Sequence, residues 1–317
     1  MRVYSIFDDF TDEAIRILTD AGMDVAVHPL GVPRPDHGQM KKILEDYDCV
    51  IIGTSQKLTE DMFENINTPR IVATASVGLD HIQIPEGKKN IVKVINTPKA
   101  NAQSVAEYTV ACALSCVKRL SEGNTLYRSG KTNKALFRKP EDLAGKTIGV
   151  VGAGNISVRI MEYAQFFGMR VLCWTRNPNH HRELETKGVR FTGLDKLCEE
   201  SDVISVNLPK NPETDSLLSN ALIRKMKDSC VFISISRKNV VDLDALLEKG
   251  KAQRSFYICL DLDVDEEIVF KIPNRPNIFV TPHIAGGTVE TRKRMFREIA
   301  EGISKIADSR QADTLLQ

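Results

Sequence analysis

A strand that ends in a glycine turn and passes at once into a helix leaves a chain few folds to choose from. Gly145-Lys146-Thr147-Ile148-Gly149-Val150-Val151-Gly152-Ala153-Gly154-Asn155-Ile156-Ser157 has that form. Thr147 to Val151 is apolar, partly β-branched and bounded by glycine, which predicts a short buried strand. Gly152 and Gly154 make the turn, and Ile156, Ile160, Tyr163, Ala164 and Phe167 then recur at helical spacing. The first N–H groups of a helix have no internal partner, and its dipole favours negative charge. The turn is therefore an anion site that suits a dinucleotide pyrophosphate. Gly152, Gly154, Asn155 and Ile156 are the residues expected to hold it. Ser157 stands at the third glycine position of this fingerprint, where helix and strand touch and serine is small enough to fit.

The same alternation runs along the 317 residues. Ahead of the turn, strands are predicted at Val3 to Phe7, Val25 to Val27, Cys49 to Ile52, Arg70 to Thr74 and Val92 to Ile95. Helices are predicted at Thr11 to Ala21, capped by Thr11 or Asp12, and at Gln39 to Tyr47. Beyond Thr147 to Val151, strands read at Arg170 to Trp174, Asp202 to Asn207, Cys230 to Ser234, Phe256 to Asp261 and Ile278 to Thr281. Helices read at Leu194 to Glu200, Asn220 to Met226 and Leu243 to Glu248. Strands that alternate with helices predict parallel α/β sheets. Ala100 to Lys118 reads as a long apolar helix running between two domains, Ser121 to Glu141 as a polar loop, and Val289 to Asp308 as a helix returning to the first domain. The expected fold is thus α/β in two domains. A Rossmann-type doubly wound parallel sheet, residues 101–288, is inserted into a smaller flavodoxin-like substrate domain formed by 1–100 and 289–317.

An apolar content of 42% is enough for two cores, and a net charge of +1 makes no case for nucleic acid or an anionic membrane as a partner. No run of about 18 apolar residues predicts a transmembrane helix. The chain opens directly on a strand pattern without a signal peptide, so a cytoplasmic location is expected. The seven cysteines are scattered without metal-ligand spacing, which predicts free buried thiols and no metal site; Cys112 and Cys116 share a helix face.

Ligands of open α/β sheets bind outside the carboxyl ends of the strands. Four polar residues fall there: Arg237, Asp261, Glu266 and His283. Arginine offers a planar fork to a carboxylate, histidine exchanges a proton near neutral pH, and a carboxylate beside it stabilises the imidazolium. The set suits interconversion of a 2-hydroxy acid and a 2-oxo acid, with a nicotinamide carrying the hydride and His283 the hydroxyl proton. Taken singly, each has a plainer role: Arg237 as a surface residue, Glu266 as part of a solvated acidic run, His283 as a structural histidine.

At these positions the chain resembles the D-isomer-specific 2-hydroxyacid dehydrogenases. Ser76-Val77-Gly78-Leu79-Asp80-His81-Ile82 is similar to the family's carboxylate-binding loop in its glyoxylate/hydroxypyruvate reductase form. Val105-Ala106-Glu107, Leu208-Pro209 with Pro212-Glu213-Thr214, Met226-Lys227 through Ser236-Arg237 to Val241-Asp242, and Thr281-Pro282-His283-Ile284-Ala285-Gly286 match further family motifs. The resemblance implies Arg237 for the substrate carboxylate and carbonyl, His283 as acid/base and Glu266 as its partner. It implies the backbone N–H groups of Val77 and Gly78, beside Ser76, as a second carboxylate anchor. Leu208, Pro209, Thr214, Ile235, Ser236, Asp261, His283 and Gly286 would face the cofactor, and the molecule would be a homodimer through the dinucleotide domain. The chain departs from the pattern at Lys238, usually glycine, at Ser234, usually asparagine, and at Leu136-Phe137, where a tryptophan is often found. The acidic run leaves Glu267 open as the histidine partner in place of Glu266. A formate dehydrogenase-like enzyme would carry glutamine at the acid position. An NAD(H)-sensing corepressor would share the fold and recruit protein partners. A methyltransferase would share the glycine turn but leave Arg237 and His283 without a use.

NAD-binding units end their second strand in an acidic residue that takes the ribose 2′-hydroxyl. Here that strand is followed by Thr175-Arg176-Asn177, and no carboxylate comes until Glu183. Thr175 can donate to a 2′-phosphate and Arg176 can pair with it, so NADP(H) is the expected preference, with NAD(H) as the other nicotinamide cofactor.

Overall fold

The computed structural model describes residues 1–64, 66–131, 139–209, 211–262 and 270–315. The chain divides into two compact units, Met1–Asn101 with Val289–Gln317, and Ala102–Thr288.

The first unit is built on β1 (Arg2–Ser5), α1 (Asp12–Asp20), β2 (Asp24–Val27), α2 (His37–Asp46), β3 (Cys49–Ile52), β4 (Ile71–Thr74) and β5 (Lys93–Ile95). Its five strands are all parallel, in the order β2-β1-β3-β4-β5, the flavodoxin-like arrangement. β3 and β4 are buried at every residue because helices cover both faces of a parallel sheet. α1 starts where Thr11 Oγ1 accepts the N–H of Ala14, and it ends before Gly22 at φ +74°. α2 starts in a capping box between Asp36 and Gln39. The final helix, Val289–Leu315, buries Phe296, Ile299, Ala300 and Ile303 in this unit's core. Phe296 lies 5.0 and 4.9 Å from the rings of Phe7 and Phe10. A fully buried phenylalanine of this kind contributes about 1.5–3 kcal/mol by area alone.

The second unit begins with α3 (Ala102–Val117) and α4 (Leu120–Arg128). Next come β6 (Thr147–Val151), α5 (Asn155–Phe166), β7 (Arg170–Trp174), α6 (Arg182–Thr186), β8 (Val189–Phe191), α7 (Leu194–Glu200) and β9 (Val203–Val206). α8 (Asn220–Lys225), β10 (Val231–Ser234), α9 (Leu243–Ala252), β11 (Tyr257–Asp261) and β12 (Ile278–Thr281) complete it. Seven parallel strands run β12-β11-β10-β9-β6-β7-β8, which is the doubly wound order with its reversal between β6 and β9.

Two sequence expectations are corrected. The stretch expected as a loop from Ser121 contains α4. Arg119 at φ +54° ends α3, and α4 is fastened by polar contacts that apolar periodicity does not show, such as Glu122 Oε2 accepting from the Tyr257 hydroxyl at 3.2 Å. The sheet also has a seventh strand: β8 is only three residues long, with Arg190 exposed, and pairs at the edge with β7. The cysteines are free thiols, and six of the seven are buried. Burial pushes the Cys173 and Cys198 thiols up to about 12. No helix among the described residues is long and apolar enough to cross a membrane.

Candidate active site

Because all strands of the second unit are parallel, the residues just past their ends line one edge of its sheet. The edge runs from His283 after β12, past Asp261 at the end of β11, Arg237 after β10 and Leu208 after β9, to Gly152 after β6 and Arg176 after β7. From β11 to β7 is four inter-strand spacings, about 19 Å.

The glycine turn passes a direct test of fit. Gly152 has φ +108°, and a Cβ there would stand 2.9 Å from the Asn207 carbonyl oxygen and 3.1 Å from Leu208 Cδ2. No side chain is admissible, so the turn lies hard against the loop after β9. At Gly154 a Cβ would meet nothing within 4 Å, which leaves room above the start of α5. Gly154 is the N-cap and offers no side chain to the first-turn N–H groups of that helix. Ser157 is fully buried, and its hydroxyl has no hydrogen-bond partner among the described residues. The Gly152 N–H donates to the Trp174 carbonyl at 2.8 Å, which ties the turn to the end of β7.

The histidine loop is held by Asp261, which is 5% exposed. One carboxylate oxygen accepts from the Thr281 hydroxyl at 2.6 Å and the Ile284 N–H at 2.8 Å, and the other accepts the Ala285 N–H at 2.9 Å. Since Thr281 gives its hydrogen to the carboxylate, the Tyr108 hydroxyl, 2.6 Å away, is the donor to Thr281. Burial raises the Tyr108 pKa, so this hydroxyl keeps its proton. His283 itself is exposed, with φ +50°, and its N–H donates to the Thr281 carbonyl at 3.0 Å. A non-glycine residue in the left-handed region costs roughly 1–2 kcal/mol, and the bonds to Asp261 on its C-terminal side offset that cost.

Arg237 is half-buried at the N-cap of a 3₁₀ turn, Lys238–Val240. Beside it Ser236 is buried; its hydroxyl donates to the Val206 carbonyl at 3.0 Å and accepts the Leu208 N–H at 2.9 Å, which couples the loops after β9 and β10. The Ile235 N–H adds a longer bond to the same carbonyl. Thr214, 3% exposed, uses its hydroxyl inside the loop, donating to the Pro209 carbonyl at 2.7 Å and accepting the Asn211 N–H at 3.0 Å. Gly286 is half-buried on the histidine loop, and Thr175 and Asn177 come after β7. Glu266 and Glu267, Leu136-Phe137 and Lys210 lie outside the described residues.

In the first unit, Ser76-Val77-Gly78 comes after β4 at the carboxyl edge of its sheet. The Ser76 hydroxyl donates to the Gly78 carbonyl at 2.7 Å, Asn96 Nδ2 donates to the Val77 carbonyl at 2.8 Å, and the Thr97 N–H donates to the Ser76 carbonyl at 3.0 Å. Ser76 therefore accepts from Thr74, 3.0 Å away, and Thr74 accepts from His81 Nε2 at 2.9 Å. With the three carbonyls occupied, the N–H groups of Val77 and Gly78 have no hydrogen-bond partner among the described residues.

A family profile described as D-isomer specific 2-hydroxyacid dehydrogenase, NAD binding domain, matches residues 110–285. The chain belongs to this family. Among curated relatives of this dehydrogenase, the hydroxypyruvate reductase of Thermotoga maritima is 31% identical over 272 residues, 84% of this chain and 87% of that one. The glyoxylate reductase of Thermofilum pendens is 31% identical over 295 residues, 88% of this chain and 86% of that one. The structure of D-lactate dehydrogenase from Aquifex aeolicus, complexed with NAD and lactic acid, superposes with a TM-score of 0.78 at 27% identity and covers 98% of this chain and 96% of that one. A nicotinamide dinucleotide is thus the cofactor class.

Sequence reading missed three residues of this edge. Tyr108 is 173 positions from Thr281, so no spacing could link them. Thr281 lay in the histidine motif but gave no sign of its bond to Asp261. The third is Glu213: the sequence offered no carboxylate near Arg176 before Glu183, yet Glu213 from the loop after β9 forms an ion pair with Arg176.

Proposed function

We propose that this protein reduces a small 2-oxo acid of the glyoxylate or hydroxypyruvate kind to the corresponding 2-hydroxy acid, the D isomer wherever C2 becomes a stereocentre, with NADP(H) preferred over NAD(H). The observation that carries this reading is one sheet edge bearing the glycine turn, Arg237 and a histidine loop stapled to a buried carboxylate. When bound, the nicotinamide supplies the hydride. The Arg237 guanidinium holds the substrate carboxylate through its fork and polarises the carbonyl. Protonated His283 delivers a proton to the carbonyl oxygen, and neutral His283 removes it in the reverse direction. Glu266, with Glu267 as the other candidate, stabilises the imidazolium. The N–H groups of Val77 and Gly78 are offered to a carboxylate. Thr175 and Arg176 favour a 2′-phosphate by about 1–3 kcal/mol, the range of a charged hydrogen bond. The reading includes a homodimer through the unit of Ala102–Thr288, on family resemblance. The hydroxypyruvate and glyoxylate reductases among the relatives support the substrate class.

Steady-state kinetics of the purified protein with NADPH and NADH against glyoxylate, hydroxypyruvate, pyruvate and bulkier 2-oxo acids test it. The highest kcat/KM is expected for glyoxylate or hydroxypyruvate with NADPH. A maximum at pyruvate or a bulkier acid overturns the substrate class, and a higher kcat/KM with NADH than with NADPH overturns the cofactor preference.

A further inference from the structure

Arg176 and Glu213 reach each other from loops that do not leave neighbouring strands. Arg176 comes two residues after β7, Glu213 comes from the loop after β9, and β6 lies between those strands. The ion pair between Arg176 Nη1 and Glu213 Oε2 therefore spans the region outside the glycine turn.

The loop that presents Glu213 is built. Asn211 Oδ1 accepts the N–H groups of Glu213 and Thr214, each at 3.0 Å. Buried Thr214 locks the same loop through its bonds to Pro209 and Asn211. Past it, Ser216 at φ +51° donates its N–H to the Asn239 carbonyl at 2.6 Å. Backbone hydrogen bonds thus fix where the Glu213 side chain starts, while its carboxylate stays exposed. The side chains of the pair are 55% and 63% exposed, so a ligand can displace one partner from the other.

We propose that Glu213 tempers the preference for a 2′-phosphorylated cofactor by holding Arg176. The inference rests on the reading that Arg176 is the 2′-phosphate anchor. A 2′-phosphate then has to displace the Glu213 carboxylate from the guanidinium, whereas a ligand ending in a 2′-hydroxyl has no such competitor. Glu213 accordingly weakens binding of a phosphorylated ribose and narrows the gap between the two cofactors. An exposed ion pair is worth little, so the effect is modest: removing Glu213 should tighten a 2′-phosphorylated ligand by about two- to fivefold.

Isothermal titration calorimetry with 2′,5′-ADP and 5′-AMP reads this without turnover. Wild type, Glu213→Gln, Arg176→Ala and the double variant are compared as full chains. Glu213→Gln is expected to tighten 2′,5′-ADP by that factor and leave 5′-AMP unchanged. In the Arg176→Ala background the same substitution should have no effect, because the gain runs through the arginine. Equal tightening in both backgrounds would mean direct charge repulsion and overturns the holding role. No tightening in Glu213→Gln, with 2′,5′-ADP weakened by Arg176→Ala, overturns the inference and leaves the anchor reading standing. If Arg176→Ala does not weaken 2′,5′-ADP relative to 5′-AMP, the anchor reading itself fails.

Discussion

The two flanks of the seven-stranded sheet secure their charged groups in opposite ways. At β11 and β12, the buried Asp261 carboxylate takes three hydrogen bonds and anchors the loop that carries His283. At β7, Arg176 is secured by one exposed ion pair to a side chain from another loop. Charged hydrogen bonds in a buried place are worth about 1.5–3 kcal/mol each, and leaving such donors unmade costs more. An exposed ion pair is worth about 0.2–1 kcal/mol and weakens with salt. The first arrangement fixes a position; the second leaves a choice between partners. Under the proposed function this difference suits the two tasks: proton transfer needs one imidazole held in place, whereas selection between cofactors needs a guanidinium that can change its anion.

The contrast can be broken first at Arg237. If its fork holds the substrate, Arg237→Lys should lower kcat/KM by about 2–5 kcal/mol, since a point charge cannot replace two directed bonds. Steady-state kinetics decide it, and near-normal kcat/KM in the lysine variant removes Arg237 from the chemistry. A smaller effect is expected at the staple. Asp261→Asn keeps the size but turns an amide toward one of the donors it had accepted, at a cost of about 1–3 kcal/mol. Denaturant unfolding should show that loss, and kcat should fall with it because the loop loses a restraint. An unchanged kcat would mean that His283 does not need the staple. The smallest of the three is Tyr108→Phe, which removes the outermost hydroxyl of the Tyr108–Thr281–Asp261 chain together with its contact to Cys112 and should cost about 0.5–1.5 kcal/mol of stability. A loss as large as that of Asp261→Asn would show that the outer hydroxyl carries the loop as much as the carboxylate does.

The sequence made the fold class legible because strand and helix periods alternate through the chain and Gly152 and Gly154 mark the first βα turn. It missed α4 and β8 for one shared reason. Both are short and half-polar, and what holds them is a partner element: Tyr257 for α4 and β7 for β8. The strand orders are those of the expected flavodoxin-like and doubly wound sheets, apart from the added edge strand β8.

The candidate site divides in the same way. By itself the sequence determined which residue types stand after which strands, because parallel strands deliver the residues at their carboxyl ends to one edge; Arg237, Asp261 and His283 were found by that rule. The tertiary structure alone decided what those residues touch. It gave Asp261 to the backbone of its own neighbour loop, joined Tyr108 to Thr281, and set the Glu213 carboxylate against Arg176. Hydrogen bonds and ion pairs act over about 3–4 Å of space regardless of separation in sequence, so they exist only once the sheet has brought its edges together.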